Sequence, residues 1–133
     1  MAFLNWRNDF SVGIALFDEE HKQLFAIINE LHETIVSGAN PDTLENILND
    51  LIVYTFLHFQ HEEMYFEDWN YPEATEHIVI HAKLRQQVFE FRQQVHEKNA
   101  CALATELAEF LRNWLSNHIL IEDRKYGEFL RKK

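Results

Sequence analysis

The chain has little that interrupts a helix and nothing that cross-links a fold. Three glycines and two prolines in 133 residues fit long helices with few turns between them. A single cysteine, Cys101, rules out an internal disulfide. On an apolar helical stretch it reads as a small core residue. Basic residues are scarce, 12 against 22 acidic, and the net charge of -10 argues against nucleic acid or an anionic membrane surface as partner. No apolar run approaches the length of a membrane span. The N-terminus, MAFLNWRNDF, lacks the basic region and apolar core of a signal peptide. A reducing, cytoplasmic location is then the default expectation. What remains is 47% hydrophobic residues, enough to build a core without cross-links, and eight histidines.

Apolar residues recur at spacings of three and four, so the fold class is all-α. Residues 1–17 are aromatic-rich and aperiodic (Phe3, Trp6, Phe10, Phe17), with Gly13 breaking any helix. They read as an N-terminal arm packed across the domain. Asp18-Glu19-Glu20 places acids at a helix start, and Phe17, His21, Leu24, Ile28, Leu31 and Ile35 form the first inward stripe. Ser37 to Pro41 ends it. The second stripe is Leu44, Leu48, Leu51, Thr55, His58, Glu62 and Tyr65, ending by Trp69-Asn70. Pro72 sits near the start of a third helix, whose stripe is His77, His81, Leu84, Val88, Phe91 and Val95. A fourth carries Leu103, Leu107, Leu111, Trp114, Leu115 and His118, and Tyr126 to Lys133 reads as a tail. Short connections predict an antiparallel up-down-up-down four-helix bundle, one domain over residues 1–133.

The segment from His58 to His81, HFQHEEMYFEDWNYPEATEHIVIH, organises the rest. His58 and Glu62 are four apart, as are His77 and His81, so each pair stacks on one helix face. Asn70-Tyr71-Pro72 separates the pairs and puts them on antiparallel neighbours. An unpaired carboxylate at Glu62 is expensive to bury, and the spacing favours a cation inside. Imidazole and carboxylate together suit iron, zinc or manganese. His21 near the start of the first helix and His118 at the end of the fourth share the level of the other three histidines. One histidine in a core slot is usually a hydrogen-bonded core residue. Five at one depth demand too many separate partners in a small apolar volume. Asp123 lies five residues after His118, about 140° out of line on a regular helix. For both to reach one site, the helix must loosen near Ile119–Glu122, as a π-bulge does. His32 and His96 fall off the stripes and read as solvated. His61 and Glu63 flank the second stripe and read as supporting or surface groups.

Four motifs together, DEEHKQLF around His21, HFQHEE from His58, YP followed by His77 and His81, and WLSNHI…D…KY, resemble hemerythrin in its single-domain bacterial form. The likeness runs from about Trp6 to Tyr126. It implies two iron ions bridged by oxo or hydroxo: one held by His77, His81 and His118, the other by His21 and His58, with Glu62 and Asp123 bridging. Three imidazoles and three bridges close the first iron at six ligands. Two imidazoles leave the second with five and one open position, where O2 binds. The resemblance also implies an O2 pocket lined by Leu115, and Trp114, Ile119 and Phe25 or Phe59 are expected to join it in excluding water. Histidine-rich ligation favours release of O2 over its cleavage.

The function so implied is reversible O2 binding for transport or storage by a monomer without enzymatic activity, which hands O2 to an O2-consuming enzyme. The alternatives are a sensor of O2, NO or iron, and a di-iron oxidase or peroxidase. A sensor of this kind usually carries a signalling domain, and no residues are left over for one here.

Overall fold

Four long helices form the bundle, and their ends follow local chemistry. In this computed structural model, which describes residues 3–132, α1 spans Ala15–Ser37, α2 Pro41–Trp69, α3 Ala74–Gln93 and α4 Ala100–Asn117. A π-helical segment, His118–Asp123, continues α4 into a short α5, Arg124–Arg131. Met1, Ala2 and Lys133, at the outer ends of the predicted arm and tail, lie outside the described residues.

Gly38 closes α1 in the left-handed region (φ 93°), its N–H on Ile35 O. Asn40 caps α2 by accepting from Thr43 N at 2.9 Å, with Pro41 in the first turn, where its missing N–H costs nothing. Asn70 ends α2 at φ 53°. Its short amide side chain makes it one of the few residues besides glycine that enter this region at low cost. Asn99 caps α4 through Ala102 N. Pro72 sits in the turn before α3, not in its first turn.

The helices pack in the predicted antiparallel order, α1 against α2 and α4, and α2 against α3. Their stripes meet in two zones. Leu31, Leu44, Leu48, Leu103 and Leu107 fill one end and are 1% exposed or less. At the other end Phe17, Phe66, Tyr71 and Tyr126 form an aromatic layer. The polar residues of the stripes lie between these zones.

Several expectations need correction. The arm is shorter than 17 residues, because α1 begins at Ala15. Asp18, one turn inside, reaches back to Val12 N (2.9 Å) and accepts from Ser11 Oγ (2.6 Å), tying the arm to the helix. Phe66, not Tyr65, continues the inward stripe of α2; Tyr65 is exposed. Cys101 is also exposed, on the outer side of the first turn of α4. His32 is half-buried and stacks on Phe3 with ring centroids 4.3 Å apart, while His96 is exposed and meets Glu45 at 3.0 Å. The tail is helical, and its Gly127 lets the arm cross closely: a Cβ there would stand 2.5 Å from the carbonyl oxygen of Val12.

Candidate metal centre

Each bundle helix brings polar side chains to one depth. α1 supplies His21, α2 supplies His58 and Glu62, and α3 supplies His77 and His81. His118 opens the π segment and Asp123 closes it. The wider turn brings into register two residues that a regular helix would splay apart. All seven are buried, at 5% exposure or less. The sequence reading asked for irregularity here, and the backbone has it.

The donor atoms face inward on one another. His77 Nε2 and His118 Nε2 lie 3.1 and 3.0 Å from Asp123 Oδ1, and His21 Nε2 lies 3.1 Å from Asp123 Oδ2. His81 Nε2 is 3.2 Å from Glu62 Oε1 and His58 Nε2 is 3.4 Å from Glu62 Oε2. Two donor sets result, each mutually within 4.8 Å: Glu62, His77, His81, His118 and Asp123; and His21, His58, Glu62 and Asp123. The two carboxylates belong to both.

These atoms fit a metal better than they fit each other. Among the described residues, the buried side-chain polar atoms without a hydrogen-bond partner are both nitrogens of His21, Nε2 of His77, His81 and His118, Glu62 Oε1, both oxygens of Asp123, and the Tyr71 hydroxyl. Apart from Tyr71 they all belong to this cluster, where a native core should hold almost no orphaned groups. Two donors at about 2.1 Å from one ion and at right angles stand about 3.0 Å apart. The N–O approaches of 3.0–3.4 Å match that spacing. No lysine or arginine is buried among the described residues. The positive charge that two buried carboxylates require must therefore come from protons on the imidazoles or from a cation.

Without a cation the imidazoles take that part. Burial pushes His58 down, but the charge of Glu62 and hydrogen bonds to Glu20 and Glu62 outweigh it and bring it up to about 10. His81 is raised likewise, with burial overcome by its bonds to Glu62 and Glu63. Burial and the charge of Asp123 push Glu62 up, yet His58 and His81 hold it below the usual carboxylate range. Asp123 is held well below that range, chiefly by His118 against the cost of burial.

A surrounding layer orients these groups, and the sequence reading caught only part of it. Glu20, read as a helix-start acid, is 5% exposed and holds His58 Nδ1 at 2.8 Å with one oxygen and His61 Nδ1 at 2.5 Å with the other. It flanks Phe17, His21 and Leu24 on the inward side of α1, and that spacing was the available signal. Glu63 holds His81 Nδ1 at 2.9 Å, so His61 and Glu63 are both supporting groups. Tyr126, assigned to a tail, is fully buried and donates its hydroxyl hydrogen to Glu62 Oε2. Burial, Asp123 and Glu62 raise its pKa well above the ordinary phenol value, which keeps it a donor.

On the aliphatic side, Phe59 stacks on His81 (3.7 Å, 4°) and Trp114 on His118 (4.4 Å, 15°). Both rings, with Leu115, Leu24, Ile28 and Leu111, border a cavity of about 20 Å³. Phe25 and Ile119 were grouped with them by the sequence reading and do not border this cavity. Ile119 is buried, and Phe25 packs under the arm, 5.1 Å from Phe10 and 5.5 Å from Trp6.

Comparison with known proteins agrees with this arrangement. The family model described as the hemerythrin HHE cation binding domain matches residues 12–130. A bacteriohemerythrin of Pseudomonas aeruginosa is 33% identical over 131 residues, covering 98% of this chain and 84% of that protein. One of Methylococcus capsulatus is 30% identical, covering 98% of both. A crystal structure of wild-type hemerythrin superposes with a TM-score of 0.84 at 30% identity, over 96% of this chain and 97% of that one.

Proposed function

The chain belongs to the hemerythrin HHE cation-binding family, and from that premise we propose that it binds O2 reversibly at a centre of two iron ions, as a carrier or store and not as an enzyme. His77, His81 and His118 would hold one iron and His21 and His58 the other, with Glu62 and Asp123 available to both. The observation that carries this reading is the pair of donor sets that share those two carboxylates. Three imidazoles serve one set and two the other, so the second retains room for a small ligand. Bound iron supplies the electrons that O2 takes up and gives back.

The chain's own groups do the rest. Glu20 and Glu63 accept from the Nδ1 atoms of His58 and His81, which turns both Nε2 lone pairs inward and fixes their tautomer. Tyr126 holds Glu62 by one oxygen. Phe59, Trp114 and Leu115 keep the approach apolar, and a cavity of about 20 Å³ is of the size that takes a molecule no larger than water or a diatomic gas. The same side chains keep water and protons away from the centre.

The domain is taken as residues 1–133, a monomer of the reducing cytoplasm that passes O2 to an O2-consuming enzyme. The exposed, unpaired Cys101 is in keeping with a reducing compartment. No helix among the described residues is long and apolar enough to cross a membrane.

The test is optical. Reduced, iron-loaded protein is exposed to air and then purged with argon, with iron per chain measured in parallel. Ligand-to-iron charge-transfer bands that rise and then vanish support the carrier reading. A colourless protein under air, or bands that persist under argon, overturns it.

A further inference from the structure

A column of oxidisable rings runs from the buried centre to solvent. Tyr126 begins it, with its hydroxyl hydrogen on Glu62 Oε2. Its ring centroid is 6.0 Å from that of Trp69, which stacks on Tyr65 at 5.4 Å and 14°. Trp69 is half-buried and Tyr65 is 37% exposed. Of the four tyrosines, only Tyr65 is exposed: Tyr54 is half-buried, and Tyr71 and Tyr126 are buried. Phe17 packs on all three rings at 5.3–6.4 Å and shields the column. A core needs none of this chemistry, since phenylalanine buries comparable apolar area without a polar tip to satisfy. Phenol and indole lose an electron readily where phenylalanine does not, and here they follow one another without a gap.

We propose that Tyr126, Trp69 and Tyr65 carry oxidising equivalents from the metal centre to the surface when hydrogen peroxide reacts there, sparing the buried histidines. This rests on the metal reading above. Peroxide takes up two electrons and two protons at the centre and leaves as two waters. Tyr126 gives up an electron while its phenol proton shifts along the existing hydrogen bond to Glu62, so no net charge is stranded on a buried ring. Trp69 returns the electron and Glu62 the proton. Tyr65 then refills Trp69 and releases its own proton to solvent. Each peroxide drives two such passes through one column: the first Tyr65 phenoxyl takes a hydrogen atom from Tyr65 of a second molecule, the second pass makes another, and the two Tyr65 phenoxyl rings join through a carbon–carbon bond. The balance is two tyrosines and one H2O2 to one dityrosine and two H2O. Trp114, stacked on His118 and half-buried, is the competing exit. Tyr126 is favoured over it by the proton acceptor already in place.

The experiment adds an equimolar amount of hydrogen peroxide to the iron-loaded protein without other reductant and maps dityrosine by fluorescence and by mass spectrometry of the cross-linked dimer. Tyr65–Tyr65 cross-links are expected in the parent and absent from iron-free protein. They are expected to be lost in Tyr65→Phe and Trp69→Phe, and retained in Trp114→Phe. An undiminished yield in Trp69→Phe, its loss in Trp114→Phe, or an iron-loaded parent without Tyr65 cross-links overturns the proposal alone. A parent that holds no iron overturns the metal reading and this proposal with it. Iron content and the response to air, measured for each variant, separate the two failures.

Discussion

The two halves of the bundle bury their stripes for different reasons. Around Leu31, Leu44, Leu48, Leu103 and Leu107 each side chain is held by the apolar area it removes from water, about 25 cal/mol per Å². No orphaned polar atom lies on these residues. A turn or two further along, the same stripes carry His21, His58, Glu62, His77, His81, His118 and Asp123, and there the orphaned atoms collect. The periodicity does not change between the halves; only the chemistry of the inward residue does. The aliphatic half therefore supplies stability without a ligand, while the other half leaves polar atoms without partners that a cation or protonated imidazoles must offset.

The harshest way to break that contrast is Asp123→Ala. It removes one of the two carboxylates common to both donor sets, so iron content and air-induced absorption are expected to vanish, while far-ultraviolet circular dichroism keeps its helical shape. Leu48→Ala should do the reverse. It is expected to cost about 2–5 kcal/mol in denaturant unfolding, as cavities in packed cores do, with iron per chain unchanged. Glu20→Ala is a milder attack on the metal half. Loss of the carboxylate that orients His58 is expected to weaken metal retention against a chelator by about 10–100-fold.

Acidity sharpens the same comparison in the metal-free protein. His58 is raised in the folded state from an ordinary 6.5 to about 10. The folded chain therefore binds more protons than the unfolded one between those values. That stabilisation is fully present below about pH 6.5 and is lost as pH rises through about 10. The melting temperature of chelator-treated protein is expected to fall between pH 7 and pH 10, and Leu48→Ala should show the same fall from a lower starting point, since it removes no titrating group. The smallest effect is expected of Leu115→Ala, which opens the cavity beside Trp114. Autoxidation of the oxygenated protein should quicken while helix content and iron binding stay as they were. A rate no faster than the parent's would leave Leu115 an ordinary core leucine.

Most of the stripes, the ends of α1 and α2 at Gly38 and Asn70, and the loosening of the helix after His118 were legible in the chain because each follows from residues near one another in sequence. The shared depth of the histidines was legible too, since antiparallel helices of known start and end fix the levels of their residues. Glu20, Tyr126 and Tyr65 were harder. A flanking acid one turn from a stripe is buried or solvated according to what the neighbouring helix presents, and His58 and His61 on α2 decide that for Glu20. Tyr126 read as part of a tail because only the packed bundle shows that α5, continuing from the π segment, turns its Tyr126 hydroxyl toward Glu62. Phe66 and Tyr65 are adjacent and both aromatic, and only the packing against Tyr71, His77 and Tyr126 selects the first for the core.

The chain by itself determined four amphipathic helices, their antiparallel order and the level at which polar residues replace leucine, because hydrophobic periodicity and capping act over a few residues. Tertiary structure alone decided which atoms meet: the shared carboxylates, the Glu20 and Glu63 bonds behind two imidazoles, and the Tyr126 contact with Glu62. Those depend on helix rotation and approach at the scale of a hydrogen bond, which only the simultaneous packing of all the helices sets.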